Sequence, residues 1–363
     1  MGDVVQFLAA SSPISSENHT AAVNATATAG ALVNACCTSI LQQENLVVPS
    51  MPGIATHQQT ARDHANNWIN TVQPTLIAAI HGIVAFGNQF DAFMTPLLAA
   101  AAKVATDPTA KNTVVTGLTL LKNNATTHMK TATNSTNAVA GFRENFSSDF
   151  SSFQSDLSAV QTQLTADSPD TGSIAQLTKK CEADQTAMSK DLAMIAGGAT
   201  GMVVGGLMIA VGALAEIETA GASTALILAG GVMVAGGAVM TGMAGSHYHN
   251  LLNDYHDDMV KLAAAKAELT LLIHVKGQLT ALDEQIDPAV KALNSLQASW
   301  QLLGTEFQTL LGQVNGTDIN GPFLQQQLVA AQTDWSDLAT QAAKVQSMIQ
   351  PPQIPLSMVL NAA

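Results

Sequence analysis

Residues 192–246 contain only two ionisable side chains, Glu216 and Glu218. Two apolar stretches, 192–214 and 224–246, flank a short connection that carries both glutamates. Each stretch is about 23 residues long, enough for a helix to cross a hydrocarbon core about 30 Å thick. We therefore predict a helical hairpin whose two arms are of membrane-spanning length.

Three interpretations of this hairpin are open: a buried core hairpin in a large helical protein, a permanent membrane hairpin, and a segment that inserts conditionally. Core helices rarely lose polarity on every face, which argues against the first. The first stretch has eight Leu, Ile or Val residues and the second six. Insertion therefore gains only about 2 to 5 kcal/mol per span. Such marginal hydrophobicity favours a segment that is sheltered first and exposed later.

We predict that the large apolar side chains of both arms enter the bilayer, namely Leu192, Ile195, Val203, Val204, Leu207, Ile209, Leu214, Leu226, Ile227, Leu228, Val232, Val234 and Val239. Small residues recur at every fourth position, a spacing that lets helix backbones approach closely in lipid: Gly197, Gly201, Gly205, Gly237, Thr241 and Gly245. Glycine-rich arms are also poor helix formers in water. We therefore hypothesise that the soluble form holds this region differently from the inserted form.

The connection between the arms forms the predicted hairpin tip, with Glu216 and Glu218. An ionised carboxylate costs about 2.5 to 3.5 kcal/mol at mid-bilayer, so protonation or oligomer assembly would lower the barrier to crossing. Alternatively, the two carboxylates keep a solvent-exposed turn soluble, and both interpretations stay open. Neither arm carries a continuous polar stripe. A wet pore would therefore need a partner that supplies a polar lining.

Outside this segment, apolar residues recur at alternate steps of three and four, which is typical of α-helices. Between residues 56 and 104 two heptad seams are present: Ile69, Leu76, Ile83, Phe90 and Leu97 form one, and Val72, Ala79, Phe86, Phe93 and Ala100 form the other. Further seams predict an opening helix over about 17–48, a helix after Pro108, and helices over 279–314 and 324–349. We expect Leu32, Val33, Cys36, Ile40 and Leu41 to be buried in the opening helix.

These patterns predict an all-α protein, an elongated antiparallel bundle of about five long helices that carries a hydrophobic helical-hairpin head. Residues 1–190 and 247–363 together form the predicted tail, and residues 191–246 form the head. We find no credible β-alternation and no glycine-marked hairpin, and so expect no strands.

The chain's net charge is −13, and only 11% of its residues are charged. It lacks the basic footprint that phosphate backbones require, so we expect no nucleic-acid partner. Membrane affinity must come from apolar burial rather than from a polybasic patch. The N-terminus shows no cleaved secretory signal, so any export takes another route.

No nucleophile, phosphate-loop or dinucleotide motif occurs, and we expect no enzymatic activity, no cofactor and no metal. The sequence contains three cysteines, Cys36, Cys37 and Cys181. We interpret them as core residues rather than as disulfide partners. His247, His249 and His256 lie near Asp254, Asp257 and Asp258. Their spacing matches no zinc signature, which favours a solvated flank with the interfacial residues Tyr248 and Tyr255 over a metal site. The aromatic run Phe142, Phe146, Phe150 and Phe153 is interpreted as bundle core.

The chain resembles the cytolysin A superfamily of α-helical pore-forming toxins, because a nearly uncharged double arm, 192–246, is inserted between heptad-bearing helices. The glycine-rich head is most similar to the membrane-inserting B component of tripartite toxins, related to haemolysin BL and to the non-haemolytic enterotoxin. The resemblance implies a secreted, soluble monomer that rearranges its head, inserts two helices into a target-cell bilayer and oligomerises. It also implies A and C components that complete the lytic pore. A secretion-system translocator or two-span membrane scaffold with coiled-coil arms is the alternative.

Overall fold

A computed structural model describes residues 17–42, 45, 53–166, 171–197, 207–217, 226–236, 250, 251, 254, 258, 261, 262, 267–316, 320–346 and 349. The helices within them are α1 (Glu17–Gln42), α2 (Ile54–Asn67), α3 (Gln73–Ala101), α4 (Pro108–Ala166), α5 (Thr171–Gly197), α6 (Ala267–Asn315) and α7 (Gly321–Gln346). Residues 250, 251, 254, 258, 261 and 262 are also helical. The strands are β1 (Leu207–Ile217) and β2 (Leu226–Gly236).

Outside the strands the described elements are long helices, most with one buried stripe, and the predicted helical bundle is confirmed. Their buried positions recur at the spacing expected from the sequence, as in α7, where Leu324, Leu328, Ala331, Trp335, Leu338, Ala342 and Val345 are buried. α5 is an additional long helix that the sequence pattern did not predict. It buries a narrow stripe of Ile174, Thr178 and Cys181.

Three predicted core positions are only partly buried: Leu41, Ile69 and Phe93. Trp68 is buried next to Ile69, and Met94 is buried next to Phe93. The first of these pairs falls in a π-helical turn, Trp68–Val72, in which the N–H of Gln73 donates to the carbonyl of Trp68. Such a turn contains one extra residue and so shifts the buried stripe along the helix.

The π turn ends at Val72, two residues before Pro74. In a regular α-helix a proline ring clashes with the carbonyl four residues earlier and donates no hydrogen bond. The wider turn accommodates the ring, and the helix continues from α2 into α3 without a break. The sequence around Pro74 is therefore accompanied by a local change of helix type.

α1 differs from the other helices because its central turns are buried on every face. Residues 26–33 are all buried, and they are Ala, Gly, Thr, Leu and Val. A helix without a polar face is stable only in a core, and small side chains let neighbouring helices approach it closely. This burial explains why α1 carries so few charges.

The chain divides into two compact units. Unit 1 takes its described residues from 1–24, 76–136 and 292–346, and an aromatic cluster fills its core. The rings of Phe86 and Trp335 are 4.5 Å apart, and those of Trp300 and Trp335 stack at 5.9 Å. Such pairs contribute beyond their area burial.

Unit 2 takes its described residues from 25–75, 137–291 and 347–363. Its core contains a stacked ladder on α4, in which Phe142 lies 6.1 Å from Phe146 and Phe146 lies 5.8 Å from Phe150. The Trp68 ring lies 5.2 Å from Phe142. The prediction that this aromatic run is bundle core is confirmed.

Among the described helices, one is long and apolar enough to cross a membrane: the continuous helix Ile54–Ala101. Of its apolar stretch of membrane-spanning length, 44% is buried inside the protein. Its apolar residues Leu76, Ile80, Ile83 and Phe90 are buried in the protein. We therefore assign its apolarity to the core.

Gly87 on α3 tests this packing, because a Cβ there would lie 2.6 Å from the Cβ of Ala339 and 2.9 Å from the carbonyl oxygen of Trp335. Gly87→Ala should lower the free energy of unfolding by about 1 to 3 kcal/mol, since neither contact belongs to a flexible side-chain end. Gly304→Ala is the matched control, because a Cβ at Gly304 meets nothing within 4 Å. It should stabilise the helix by about 0.5 to 1 kcal/mol. Chemical denaturation checks both, and equal effects would contradict the close approach.

Candidate functional site in the apolar head and its stems

The head contains an antiparallel β-hairpin. β1 pairs with β2 from Leu207↔Gly236 at the open end to Ile217↔Leu226 beside the connection. The prediction of a helical hairpin with no strands is therefore wrong for these residues in this form of the protein. The hypothesis that the soluble form holds the region differently from two membrane helices agrees with this pairing.

The ladder contains two irregularities that compensate each other. Between Val211↔Val232 and Ala213↔Ala229 two residues of β2 oppose one of β1, and all three are glycines. Between Ala213↔Ala229 and Glu216↔Ile227 the extra residue is in β1. Glycine tolerates the distorted backbone of a bulge, which explains its concentration at the first irregularity.

The composition of the strands explains both the pairing and the failed prediction. Val and Ile favour extended backbone, whereas glycine disfavours helix. An uninterrupted apolar run does not distinguish a strand from a buried helix by periodicity alone. Apart from Glu216, the two strands contain no polar residue. Neither face of this ladder is therefore suited to water.

The predicted insertion residues lie on three elements. Leu192, Ile195 and Gly197 are in the last turns of α5; Leu207, Ile209, Leu214 and Glu216 are in β1; Leu226, Ile227, Leu228, Val232 and Val234 are in β2. The remaining ones lie outside the described residues, namely Gly201, Val203, Val204, Gly205, Glu218, Gly237, Val239, Thr241 and Gly245. Within the described residues, the first predicted arm thus begins as helix at 192–197 and is strand at 207–214.

An ionic clamp, formed by Lys180, Asp258 and Lys261, joins the stems on either side of the head. The Asp258 carboxylate lies 2.5 Å from the Lys180 Nζ on α5 and 3.2 Å from the Lys261 Nζ. Its side chain is only 3% exposed, whereas both lysines remain more than half exposed. Burial acts to raise the pKa of Asp258, but hydrogen bonds from the two lysines outweigh it, so the pKa lies below its usual value.

A second ion pair joins the same stem to α6. The Lys276 Nζ lies 2.7 Å from the Glu182 Oε1, and both groups are partly buried. α5 contributes the cation, Lys180, to the first pair and the anion, Glu182, to the second. They therefore fix the register of α5 against the helices that return from the head.

The prediction of a solvated flank needs one correction. Asp254 is exposed as expected, but Asp258 is buried and paired. The signal was present in the sequence, because lysines on one side of the apolar segment and aspartates on the other have opposite charges. His247, Tyr248, His249, Tyr255, His256 and Asp257 lie outside the described residues. Across the part of the chain that the structure describes, no group of three metal-ligating side chains is found.

The three cysteines are buried. Burial raises the pKa of Cys36 and of Cys181 to about 12, and it raises that of Cys37 well above the ordinary value. The thiolate is the reactive form of cysteine, so these side chains are inert at neutral pH. Their interpretation as core residues is confirmed.

A cavity of about 240 Å³ adjoins the phenylalanine ladder in unit 2. The His64 Nε2 lies 2.7 Å from the Asp149 Oδ2 at this cavity, and the ring of His57 meets that of Phe153 edge-on at 4.9 Å. The lining of the cavity includes the half-exposed carboxylate of Asp149 and no Lys or Arg.

The described residues define a class: long helices with buried apolar stripes, and between α5 and the helical residues within 250–262 an almost uncharged apolar segment that contains a β-hairpin. The family model "Bacillus haemolytic enterotoxin (HBL)" matches residues 14–191. Among solved structures, the chain is similar to soluble AhlB of the tripartite alpha-pore forming toxin AHL from Aeromonas hydrophila. Identity is 23%, coverage is 93% of this chain and 95% of that chain, and the TM-score is 0.70.

The HblL1 toxin component of Bacillus cereus is 19% identical, with 94% of this chain and 99% of that chain covered and a TM-score of 0.73. The pore form of AhlB is 20% identical, with 92% and 98% covered and a TM-score of 0.57. No curated protein matches the chain. The predicted resemblance is thus confirmed: residues 14–191 match the model of this haemolytic enterotoxin family, and the chain shares its fold with tripartite toxin components.

Asp258→Asn tests the ionic clamp by removing its charge without changing its size. Protection of the α5 amides against hydrogen exchange should fall about five- to thirty-fold, because roughly 1 to 2 kcal/mol of charge-assisted hydrogen bonding is lost. The pKa of Asp258 lies below its ordinary value, so the clamp's contribution is complete above about pH 5 and disappears as pH falls through that lowered pKa. The difference between variant and wild type should follow the same course.

Asp254→Asn is the control for the clamp, since Asp254 is on the same segment and exposed. It should change protection very little. Equal protection in the Asp258 variant and in wild type at pH 7 would show that the ion pairs do not hold α5.

Proposed function

We propose that the chain is a component of a pore-forming toxin that is soluble as a monomer, inserts its apolar head into a target membrane, and oligomerises there. One observation carries the proposal: an apolar region with two segments of membrane-spanning length contains a two-stranded β-hairpin, in which Leu207–Ile217 pairs with Leu226–Gly236. The same apolar sequence can also adopt a helical conformation. The described fold is also more similar to the soluble form of AhlB than to its pore form.

The two-stranded hairpin itself is unsuited to a bilayer. Each strand has one edge whose backbone groups find no partner within the sheet. In hydrocarbon every unpaired N–H or C=O costs several kcal/mol, and only helices or closed barrels avoid this. Two helices of about 23 residues pair all of their interior backbone groups internally. Insertion as the helical hairpin predicted from the sequence therefore requires β1 and β2 to separate.

The helical form also accounts for the glycine pattern. In two helices, Gly197, Gly201 and Gly205 form one stripe of small residues, while Gly237, Thr241 and Gly245 form another. Such stripes allow close helix packing in lipid. We propose that residues 191–246 act as the head domain in this way, with Glu216 and Glu218 at the tip that crosses first.

We assign the chain to the membrane-inserting, B-type role. Inserted arms without a polar stripe would line a pore with apolar side chains, so A- and C-type partner components must supply the hydrophilic lining. AhlB is named as part of a tripartite toxin. Catalysis has no place in this mechanism, because folding and membrane partition drive it. The partners are the target-cell bilayer, further copies of this chain and the other two components.

A cross-strand disulfide tests whether the strands must separate. Cysteines are introduced at Ile209 and Val234 in one variant and at Met208 and Ala235 in another; both are directly opposed pairs. Opposed pairs alternate between hydrogen-bonded and non-hydrogen-bonded sites, so one variant has the geometry that favours a bridge. The oxidised variant should lose insertion into liposomes, measured by protease protection of the head, and reduction should restore it.

Single-cysteine variants at the same positions under the same oxidant are the controls for the lock. The native cysteines are buried with raised pKa values and should not interfere. Full insertion and lysis by the bridged form would refute the proposed separation of the strands.

Gly201→Arg tests the role of the first arm. A charge at mid-bilayer costs about 2.5 to 3.5 kcal/mol or more, so membrane insertion and haemolysis with partner components should fall at least fifty-fold while the bundle stays folded. Gly304→Arg adds the same charge to α6, where a Cβ meets nothing within 4 Å, and should leave insertion unchanged. Undiminished lysis by the Gly201 variant would count against the head as the inserting element.

A further inference from the structure

His19 is a buried imidazole without a hydrogen bond in the described part of the chain. It lies in the first turn of α1 and is 1% exposed. Neither of its ring nitrogens has a hydrogen-bond partner among the described residues. Buried polar groups are almost always paired, so this arrangement is unusual in a protein core.

Two tryptophans surround this imidazole. The His19 ring meets Trp300 of α6 at 4.7 Å and Trp335 of α7 at 5.0 Å, both nearly edge-on. All three residues belong to unit 1 and are buried. While it is neutral, the ring can therefore pack between the two tryptophans as an apolar side chain and hold the start of α1 in this pocket. A protonated imidazole would have two N–H donors and no acceptor in this pocket.

Other titratable groups lie on the elements around the pocket. α4 contributes His128, whose ring lies 5.1 Å from Trp300; α3 contributes the exposed residues His81 and Asp91; α7 contributes Asp334 and Asp337 on either side of Trp335. α6 contributes the partly buried Glu306. None of these carboxylates is recorded within ion-pair distance of the His19 ring, so no salt bridge stabilises its charged form.

We propose that His19 is an acid-labile anchor: protonation of its imidazole detaches the first turns of α1 from the pocket between Trp300 and Trp335. The detachment is confined to the residues before Asn24, because Gln341 of α7 donates a hydrogen bond of 3.1 Å to the Asn24 side chain. This bond does not depend on pH. Acid therefore exposes a defined segment of α1 and a tryptophan pocket while the rest of unit 1 stays folded.

The direction of the pH effect follows from proton linkage. Burial lowers the pKa of His19 from 6.5 to about 3. Detached α1 regains the ordinary value, so it binds a proton first as pH falls below 6.5. The detached population should rise by up to about tenfold for each pH unit between about 6 and 3, and linkage gives a rise of about 25-fold from pH 7 to pH 5.

Two neighbouring groups modify the bulk stability of unit 1. Burial raises the pKa of Glu306 to about 7, so its protonation stabilises the folded unit as pH falls from about 7 to 4.5. Burial, with a contribution from His81, lowers the pKa of His128, which acts in the same direction as His19. Because these effects overlap, a global unfolding measurement would not isolate His19, and a local probe is needed.

Hydrogen exchange of the amides of residues 19–23, corrected for intrinsic rates, tests the anchor between pH 7.5 and 4.5. In wild type their protection should fall about 25-fold from pH 7 to pH 5, while the amides of residues 331–339 in α7 keep theirs. In His19→Phe, which stays apolar at every pH, protection of residues 19–23 should not depend on pH. His19→Met serves the same purpose if the larger ring prevents folding.

His128→Phe is the matched control, because it removes the neighbouring imidazole and leaves His19 in place; the acid effect on residues 19–23 should persist. Three results would each overturn the proposal: the same pH dependence in wild type and in both His19 variants, protection in wild type that does not change with pH, or an equal loss in α7.

Discussion

Backbone hydrogen bonding is the constraint on which the head depends. Its side chains offer almost nothing to water, so the way its N–H and C=O groups are paired determines where it can reside. A two-stranded ladder pairs only the inner edge of each strand, which water tolerates and hydrocarbon does not. Two helices pair their interior backbone groups internally, and hydrocarbon tolerates them. The same residues therefore suit one conformation in solution and another in a membrane.

The rest of the chain is a helical bundle whose sequence does not suit two alternative conformations. Its helices bury large aromatic side chains in both compact units, including all three tryptophans. Ion pairs from Lys180 and Glu182 hold the stem that leads into the head. A stable bundle with a marginal head is what a conditional inserter requires, because low local stability confines the conformational change to one segment.

The sequence predicted the parts whose pattern has one physical solution. Heptad seams determined α3, α6 and α7, because a period of three and four leaves only a helix. α5 was missed because its stripe of Ile174, Thr178 and Cys181 is small and weakly apolar. The strands were missed because apolar runs such as 207–217 suit a strand and a helix equally, and tertiary context decides between them. The clamp at Asp258 was missed because its partner on α5, Lys180, lies 78 residues earlier in the sequence.

The conformation of the head in water and in a membrane is the most direct test. Segmental carbon-13 labelling of residues 192–246, with chemical shifts recorded for the free protein and for the protein bound to vesicles, measures it residue by residue. The account predicts strand shifts at 207–217 and 226–236 in water and helical shifts at the same residues in vesicles. Strand shifts that persist in vesicles, with the head inserted, would contradict it.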